Sequence, residues 1–170
     1  MIREATEQDL LEVLKIYNTA IVHTTAVYHY EPQTLEERKS WFAKKQVGGE
    51  PVLVFEEEGE VLGFATFGSF RPWPAFKYTI EHSIYVASLG KGKGIGSKLL
   101  VKLIELAKHD GYKTMVAGID AKNPASIGLH EKFGFAYSGT IRNAGYKFGN
   151  WLDLAFYQLD MPGPVDPSEG

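Results

Sequence analysis

The stretch LGKGKGIGSKLL, residues 89–100, constrains the fold more than any other part of the chain. Glycine occupies every second position from 90 to 96, and glycine is a poor residue for a helix interior. Apolar residues nevertheless recur at helical spacing from Ile95 onward, and the strand-like YTIEHSIYV precedes the loop. The pattern predicts a strand, a glycine-rich turn and an amphipathic helix that ends near Gly111.

A glycine-rich turn at a helix N-terminus is suited to bind an anion. The first N–H groups of the helix lack partners, the helix dipole favours negative charge, and glycine permits close approach. Lys91 and Lys93 add local positive charge. A Walker A loop is excluded because Ser97 precedes Lys98, and no register fits G-x-G-x-x-G. We expect a phosphate or pyrophosphate site; the alternative is a flexible surface turn with solvated lysines.

Composition and periodicity indicate one folded domain of mixed class. The chain has 170 residues, of which 44% are hydrophobic and 13% aromatic. Helical patterns after Thr6 and Thr34 precede a hairpin at 51–70, and strand and helix patterns then alternate. We predict an α/β (α+β mixed) fold with one central mixed sheet, a single domain over 1–161 and a loose tail over 162–170.

Several classes of protein are disfavoured. The chain has no cysteine, which excludes disulfides, thiolate nucleophiles and zinc–cysteine sites. The net charge of −3 argues against nucleic acid and acidic membrane surfaces as partners. No apolar run approaches the length of a membrane span, and MIREATEQDL lacks the apolar core of a signal peptide. We expect a cytoplasmic protein that needs no metal.

Two motifs then point to a family. KGKGIG resembles the [QR]-x-x-G-x-[GA] signature of the GNAT acetyltransferase superfamily, with Lys91 in place of the usual Gln or Arg. NPASIGLHEKFGF resembles the second GNAT segment. EPQT, YTIEHSIYV and AGYKFGNWLDLAFYQ resemble its phosphinothricin/methionine sulfoximine acetyltransferase branch, over residues 2–161. The resemblance implies a mostly antiparallel central sheet flanked by helices, and a homodimer, for which WLDLAFYQL is a candidate interface.

The resemblance also implies where acetyl-CoA binds. The backbone of 84–86 runs beside the pantetheine arm, and Asn123 contacts the pantetheine or thiol end, caps its helix, or does both. The expected cofactor-binding residues are Ile84, Tyr85, Val86, Lys91, Gly92, Lys93, Gly94, Ile95, Gly96, Ser97 and Asn123.

Two residues are candidates for proton transfer. Glu81 interrupts an apolar and aromatic strand, and a buried carboxylate has a raised pKa suited to a general base; the alternative is a strand residue that faces water. His130 stands where many GNAT enzymes protonate the departing thiolate with a tyrosine; the alternative is a structural histidine. His82 faces away from Glu81 because strand side chains alternate, and it is not assigned a role.

The expected substrate is a small amino-acid analogue acetylated on its α-amino group. Arg71, in the loop before the Glu81 strand, is suited to hold the substrate carboxylate. Tyr28, Trp73 and Tyr78 are candidates for an aromatic wall. The alternatives are a GNAT enzyme that acts on a protein N-terminus or another amine, and a non-catalytic module that binds acyl-CoA or nucleic acid.

Overall fold

The computed structural model describes residues 1–170 and contains four helices and seven strands. The helices are α1 (Leu10–His23), α2 (Leu35–Val47), α3 (Ile95–His109) and α4 (Pro124–Lys132). The strands are β1 (Ile2–Glu4), β2 (Val52–Glu57), β3 (Glu60–Ser69), β4 (Thr79–Val86), β5 (Thr114–Asp120), β6 (Ala136–Lys147) and β7 (Asn150–Asp160). Short 3₁₀ turns occupy 7–9, 74–76 and 88–90. No helix is both long enough and apolar enough to span a membrane.

The strands form one mixed sheet in the order β1-β2-β3-β4-β5-β7-β6. The β1–β2, β2–β3, β5–β7 and β6–β7 pairs are antiparallel, and β4–β5 is parallel. The predicted mixed class, with a mostly antiparallel sheet and flanking helices, is therefore confirmed.

The chain forms two compact units, which we call unit one (1–67 and 83–103) and unit two (68–82 and 104–170). In unit one, Val13 and Ile16 of α1 pack with Val54 and Phe64 of the sheet. Apolar residues on one face of α1 therefore bury against the sheet, as the helical periodicity requires.

Unit two has a separate set of buried residues. β5, between β4 and β7 in the sheet, is apolar on successive residues rather than on alternate ones, as is typical of a strand covered on both faces. The buried side chains of unit two include Ile80, Ile104, Ala107, Met115, Ala117, Ile119, Phe135, Leu152, Ala155, Tyr157 and Met161.

The two predicted N-terminal helices begin differently. Thr6 caps a 3₁₀ turn in a box with Asp9, and α1 begins only at Leu10. The helix predicted after Thr34 is confirmed, and it begins with a capping box in which the Glu37 N–H donates to Thr34 Oγ1 at 3.2 Å. β6 continues to Lys147 through a register shift at which Asn143 has a φ of 53°.

Candidate active site

The parallel ladder between β4 and β5 is short. It pairs Thr79, Ile80 and Glu81 with 114–116, and β4 continues for five residues beyond it. The ladder therefore does not use the backbone groups of 82–86 on this side of β4. In unit one the Tyr85 ring packs edge-on to Tyr17, with centroids 5.4 Å apart. Its side chain therefore belongs to the core of unit one.

The glycine loop of unit one has the conformation that its sequence predicts. Gly92 and Gly94 have φ of 79° and 73°, which favours glycine, and a Cβ added at either would meet nothing within 4 Å. Gly90 differs, because an added Cβ would lie 2.8 Å from Ile95 Cδ1 and 3.0 Å from Leu62 O. Conformation therefore requires glycine at 92 and 94, whereas close packing requires it at 90.

The end of this loop is the N-terminus of α3. The first intrahelical bond comes from the Lys98 N–H, which donates to Gly94 O at 3.1 Å. The N–H groups of Ile95, Gly96 and Ser97 precede that bond and have no acceptor within the helix. Together with the open space beside Gly92 and Gly94, this arrangement fits a pyrophosphate.

The lysines of the loop are not equivalent. The side chain of Lys93 forms an ion pair with Glu57, with Nζ 2.7 Å from Oε2. The hydrogen bond with Glu57 raises the pKa of Lys93 and lowers that of the carboxyl. Lys91 is exposed. From the sequence we expected both lysines to contribute positive charge to the loop. In the structure, the carboxylate of Glu57 neutralises the charge of Lys93.

Asn123 is the N-cap of α4, in unit two. Its Oδ1 accepts the Ser126 N–H at 3.1 Å, and Pro124 occupies the first turn. The capping role is therefore confirmed. The capping bond uses only the oxygen of this exposed side chain, so the cap does not exclude a second contact through Nδ2.

Glu81 is half-buried on β4, in unit two. Burial raises the pKa of its carboxyl, and the positive charge of Arg71 acts in the opposite direction. Gly118 of β5 leaves space beside it, since a Cβ there would lie 3.9 Å from Glu81 Oε2. Sequence reasoning missed Gly118, whose only signal was a glycine inside an apolar strand.

The residues predicted to bind substrate have different surroundings. Arg71 donates to Phe70 O at 2.7 Å, and its guanidinium lies 4.1 Å from the Phe70 ring centroid. Trp73 is 68% exposed. The Tyr78 hydroxyl accepts the Ser168 N–H at 3.0 Å, so the C-terminal tail contacts a predicted substrate residue. Tyr28 is exposed in unit one.

His130 is bonded to the histidine that sequence reasoning set aside. Its Nε2 lies 2.9 Å from Nε2 of His82, and its Nδ1 lies 2.7 Å from Ser126 O. Both rings are buried, and burial lowers the pKa of both, that of His82 to about 3. Strand alternation correctly placed His82 away from Glu81, but it gave no indication of this partner on α4.

Sequence comparison identifies relatives along nearly the whole chain. The model of the acetyltransferase (GNAT) domain matches residues 2–156. An L-methionine sulfoximine/L-methionine sulfone acetyltransferase of Salmonella typhimurium is 44% identical and covers 98% of this chain and 97% of its own. One of Pseudomonas aeruginosa is 47% identical, with 94% of each chain covered. A phosphinothricin N-acetyltransferase of Streptomyces viridochromogenes is 37% identical, with 98% and 90% covered.

Solved structures agree. An N-acetyltransferase from Staphylococcus aureus has a TM-score of 0.93 and 64% identity, over 94% of this chain and 97% of that one. A ribosomal-protein-alanine N-acetyltransferase from Brucella melitensis has a TM-score of 0.93 and 46% identity, over 95% and 99%. A phosphinothricin acetyltransferase from Sinorhizobium meliloti in complex with acetyl-CoA has a TM-score of 0.94 and 34% identity, over 100% and 94%.

Proposed function

The chain belongs to the GNAT acetyltransferase family, and we propose that it acetylates the α-amino group of small amino-acid analogues directly from acetyl-CoA. The analogues are of the methionine sulfoximine, methionine sulfone or phosphinothricin type, which the names of its relatives indicate. The observation that carries the proposal is Glu81, a half-buried carboxylate of raised pKa within the electrostatic influence of Arg71. This pairs a base for the amine with a cation for the substrate carboxylate.

Acetyl-CoA supplies an activated thioester. The backbone N–H groups of the glycine loop, at Gly92, Gly94 and the first turn of α3, would bind its pyrophosphate. The backbone of Ile84, Tyr85 and Val86 would run along the pantetheine arm, and an N–H there would polarise the thioester carbonyl. Asn123 would contact the pantetheine or thiol end through the amide group that its capping bond leaves available.

Glu81 would remove the proton that the amine loses as it attacks. The α-amino group of a free amino acid is mostly protonated at neutral pH, because its own carboxylate raises its pKa above the value of about 8 of a peptide N-terminus, and the Glu81 carboxylate can take this proton directly or through one water. Burial supports this role, because it raises the pKa of the Glu81 carboxyl toward that of the amine. His130 would protonate the departing thiolate.

Arg71 would hold the carboxylate of the substrate, with Tyr28, Trp73 and Tyr78 as apolar contacts. The guanidinium is now bonded to Phe70 O, so it would have to exchange that backbone acceptor for a carboxylate. The exchange favours binding because a charge-assisted bidentate pair is stronger than one bond to a carbonyl.

An amine panel tests the proposal. Release of the free thiol of coenzyme A would be followed with methionine sulfone, methionine sulfoximine, phosphinothricin, a polyamine and an alanine-ended peptide. We expect turnover with the first three, and Glu81→Gln, which preserves the shape of the side chain, serves as the matched control. Preference for the peptide would favour the alternative that the Brucella melitensis structure suggests, a protein N-terminus. If none of these amines leads to release of the thiol, the result would favour a non-catalytic module that binds acyl-CoA.

We also propose that the chain acts as a homodimer in the cytoplasm, without nucleic acid, membrane or metal. Three aromatic side chains around the β6–β7 turn support the dimer, since Tyr146, Phe148 and Trp151 are 49%, 56% and 63% exposed. Exposed apolar groups clustered in this way are typical of interfaces. Sedimentation should show a dimer that Trp151→Glu weakens.

A further inference from the structure

The contact between His82 and His130 requires a proton between their two Nε2 atoms. Their Nε2 atoms are 2.9 Å apart, which is the distance of a hydrogen bond. Such a bond needs one nitrogen to donate and the other to accept. One proton therefore lies between the two rings.

The two remaining nitrogens each face a carbonyl oxygen. His82 Nδ1 lies 3.2 Å from Val116 O, and His130 Nδ1 lies 2.7 Å from Ser126 O. A carbonyl oxygen only accepts, so both Nδ1 atoms must carry protons for these bonds to form.

These three contacts need three protons, whereas two neutral imidazoles carry two. If the pair held only two, one contact would bring two lone pairs together inside the protein, at 2.7, 2.9 or 3.2 Å. A buried acceptor that faces another acceptor is destabilising, and water has little access because the residues are only 8% and 5% exposed.

We propose that His82 and His130 together hold three protons and a single positive charge, and that this excess proton is the one given to the departing thiolate. The second part rests on the proposed function. As the S–H bond forms, one N–H bond of the pair breaks, and two neutral imidazoles remain. Two neutral rings would have to form an imidazolate to donate a proton. His82 is thus a positioning residue, which keeps His130 protonated.

The surroundings limit the pair to one excess proton. No carboxylate is among the hydrogen-bonding partners of either ring. Glu81 projects from the opposite face of β4, and Glu131 and Lys132 of α4 are exposed. β5 contributes the carbonyl of Val116, and the remaining ring contact is the apolar Phe135. Burial lowers the pKa of both rings, so it opposes the first excess proton as well as a second one. The three hydrogen bonds, of which the one to Ser126 O raises the pKa of His130, offset burial for one proton. A second proton is opposed by burial and by repulsion from His130, which lower the pKa of His82 to about 3.

Histidine ring ¹⁵N spectra of the whole chain test the charge state without an activity assay. At about pH 6.5, the ordinary pKa of histidine, we expect three ring N–H protons from this pair. His82→Gln should leave one, the His130 Nδ1–H. His109→Gln removes an exposed histidine of α3 and should leave all three. Two N–H protons in the unmodified chain, one on each ring, would overturn the proposal.

The catalytic part is tested by a pH profile. We expect kcat of the unmodified chain to fall at high pH, where the pair loses its excess proton. His82→Gln should lower kcat about 10²-fold and remove that fall, while acetyl-CoA affinity stays unchanged. An unaltered kcat and profile in a folded variant would refute the acid role. Failure of the proposed function would look different, because no amine would be acetylated while the spectra still showed three protons.

Discussion

Replacement of Glu81 by glutamine should remove most of the turnover at neutral pH. Glutamine matches the length of the side chain but cannot accept the amine's proton, and the neighbouring Gly118 leaves the space beside it unobstructed. General base catalysis contributes about 10²–10⁴-fold. We expect the lower end, about 10²-fold, because a small fraction of the amine is already neutral at pH 7 and reacts without the base.

The contribution of the base also depends on pH. The neutral fraction of the amine rises with pH, so the deficit in kcat/KM of Glu81→Gln relative to the unmodified enzyme should shrink, whereas the loss of the excess proton of the histidine pair at high pH affects both proteins equally. In the unmodified enzyme, burial raises the pKa of Glu81, so the base is protonated and activity is lost as pH falls through that raised value. Arg71 lowers the same pKa, so Arg71→Gln should shift this acidic limb to higher pH.

The assay is thiol release at saturating acetyl-CoA, with calorimetry to show that cofactor affinity is unchanged. Glu81→Asp is the matched control, since it keeps the carboxylate but withdraws it from the amine. Its kcat should lie between those of the unmodified enzyme and Glu81→Gln. A folded Glu81→Gln protein with native kcat at pH 7 and an unchanged pH profile would refute the assignment of Glu81 as the base.

Three further predictions follow from other parts of the molecule. Gly94→Val should weaken acetyl-CoA binding at least tenfold by calorimetry, because a β-branched residue does not adopt the φ of 73°; Lys91→Ala, on the same loop, should weaken it less, because it leaves the backbone N–H groups in place. Arg71→Ala should raise KM for the amino-acid analogue steeply, and amidation of the substrate carboxylate should do the same to the intact enzyme; equal rates for amide and acid would contradict the clamp. Asp9→Asn should lower the free energy of unfolding by about 1–2 kcal/mol at neutral pH, because the hydrogen bonds of Arg3 lower the pKa of Asp9 to about 2. This contribution to stability is present above the ordinary pKa of 3.8 and is lost as pH falls toward 2. The free energies of unfolding of the two proteins, measured by urea denaturation, should therefore become equal as pH falls toward 2.

The sequence alone determined the features whose causes are local. Glycine at 92 and 94 follows from backbone conformation within one turn, so the loop and the start of α3 were predictable from neighbouring residues. The same is true of the Thr34 and Asn123 caps, whose acceptors and donors lie three residues apart. Alternation along β4 likewise placed Glu81 and His82 on opposite faces.

Only the tertiary structure decided which distant groups meet. Lys93 was counted as a free cation until it proved to be paired with Glu57, 36 residues away. His82 had no assigned role until its ring proved to be bonded to His130, across 48 residues. A strand pattern specifies the face on which a side chain lies but not what packs against that face. Burial and pairing of charged groups depend on that packing, and they in turn set the pKa of each acid and base in the candidate site.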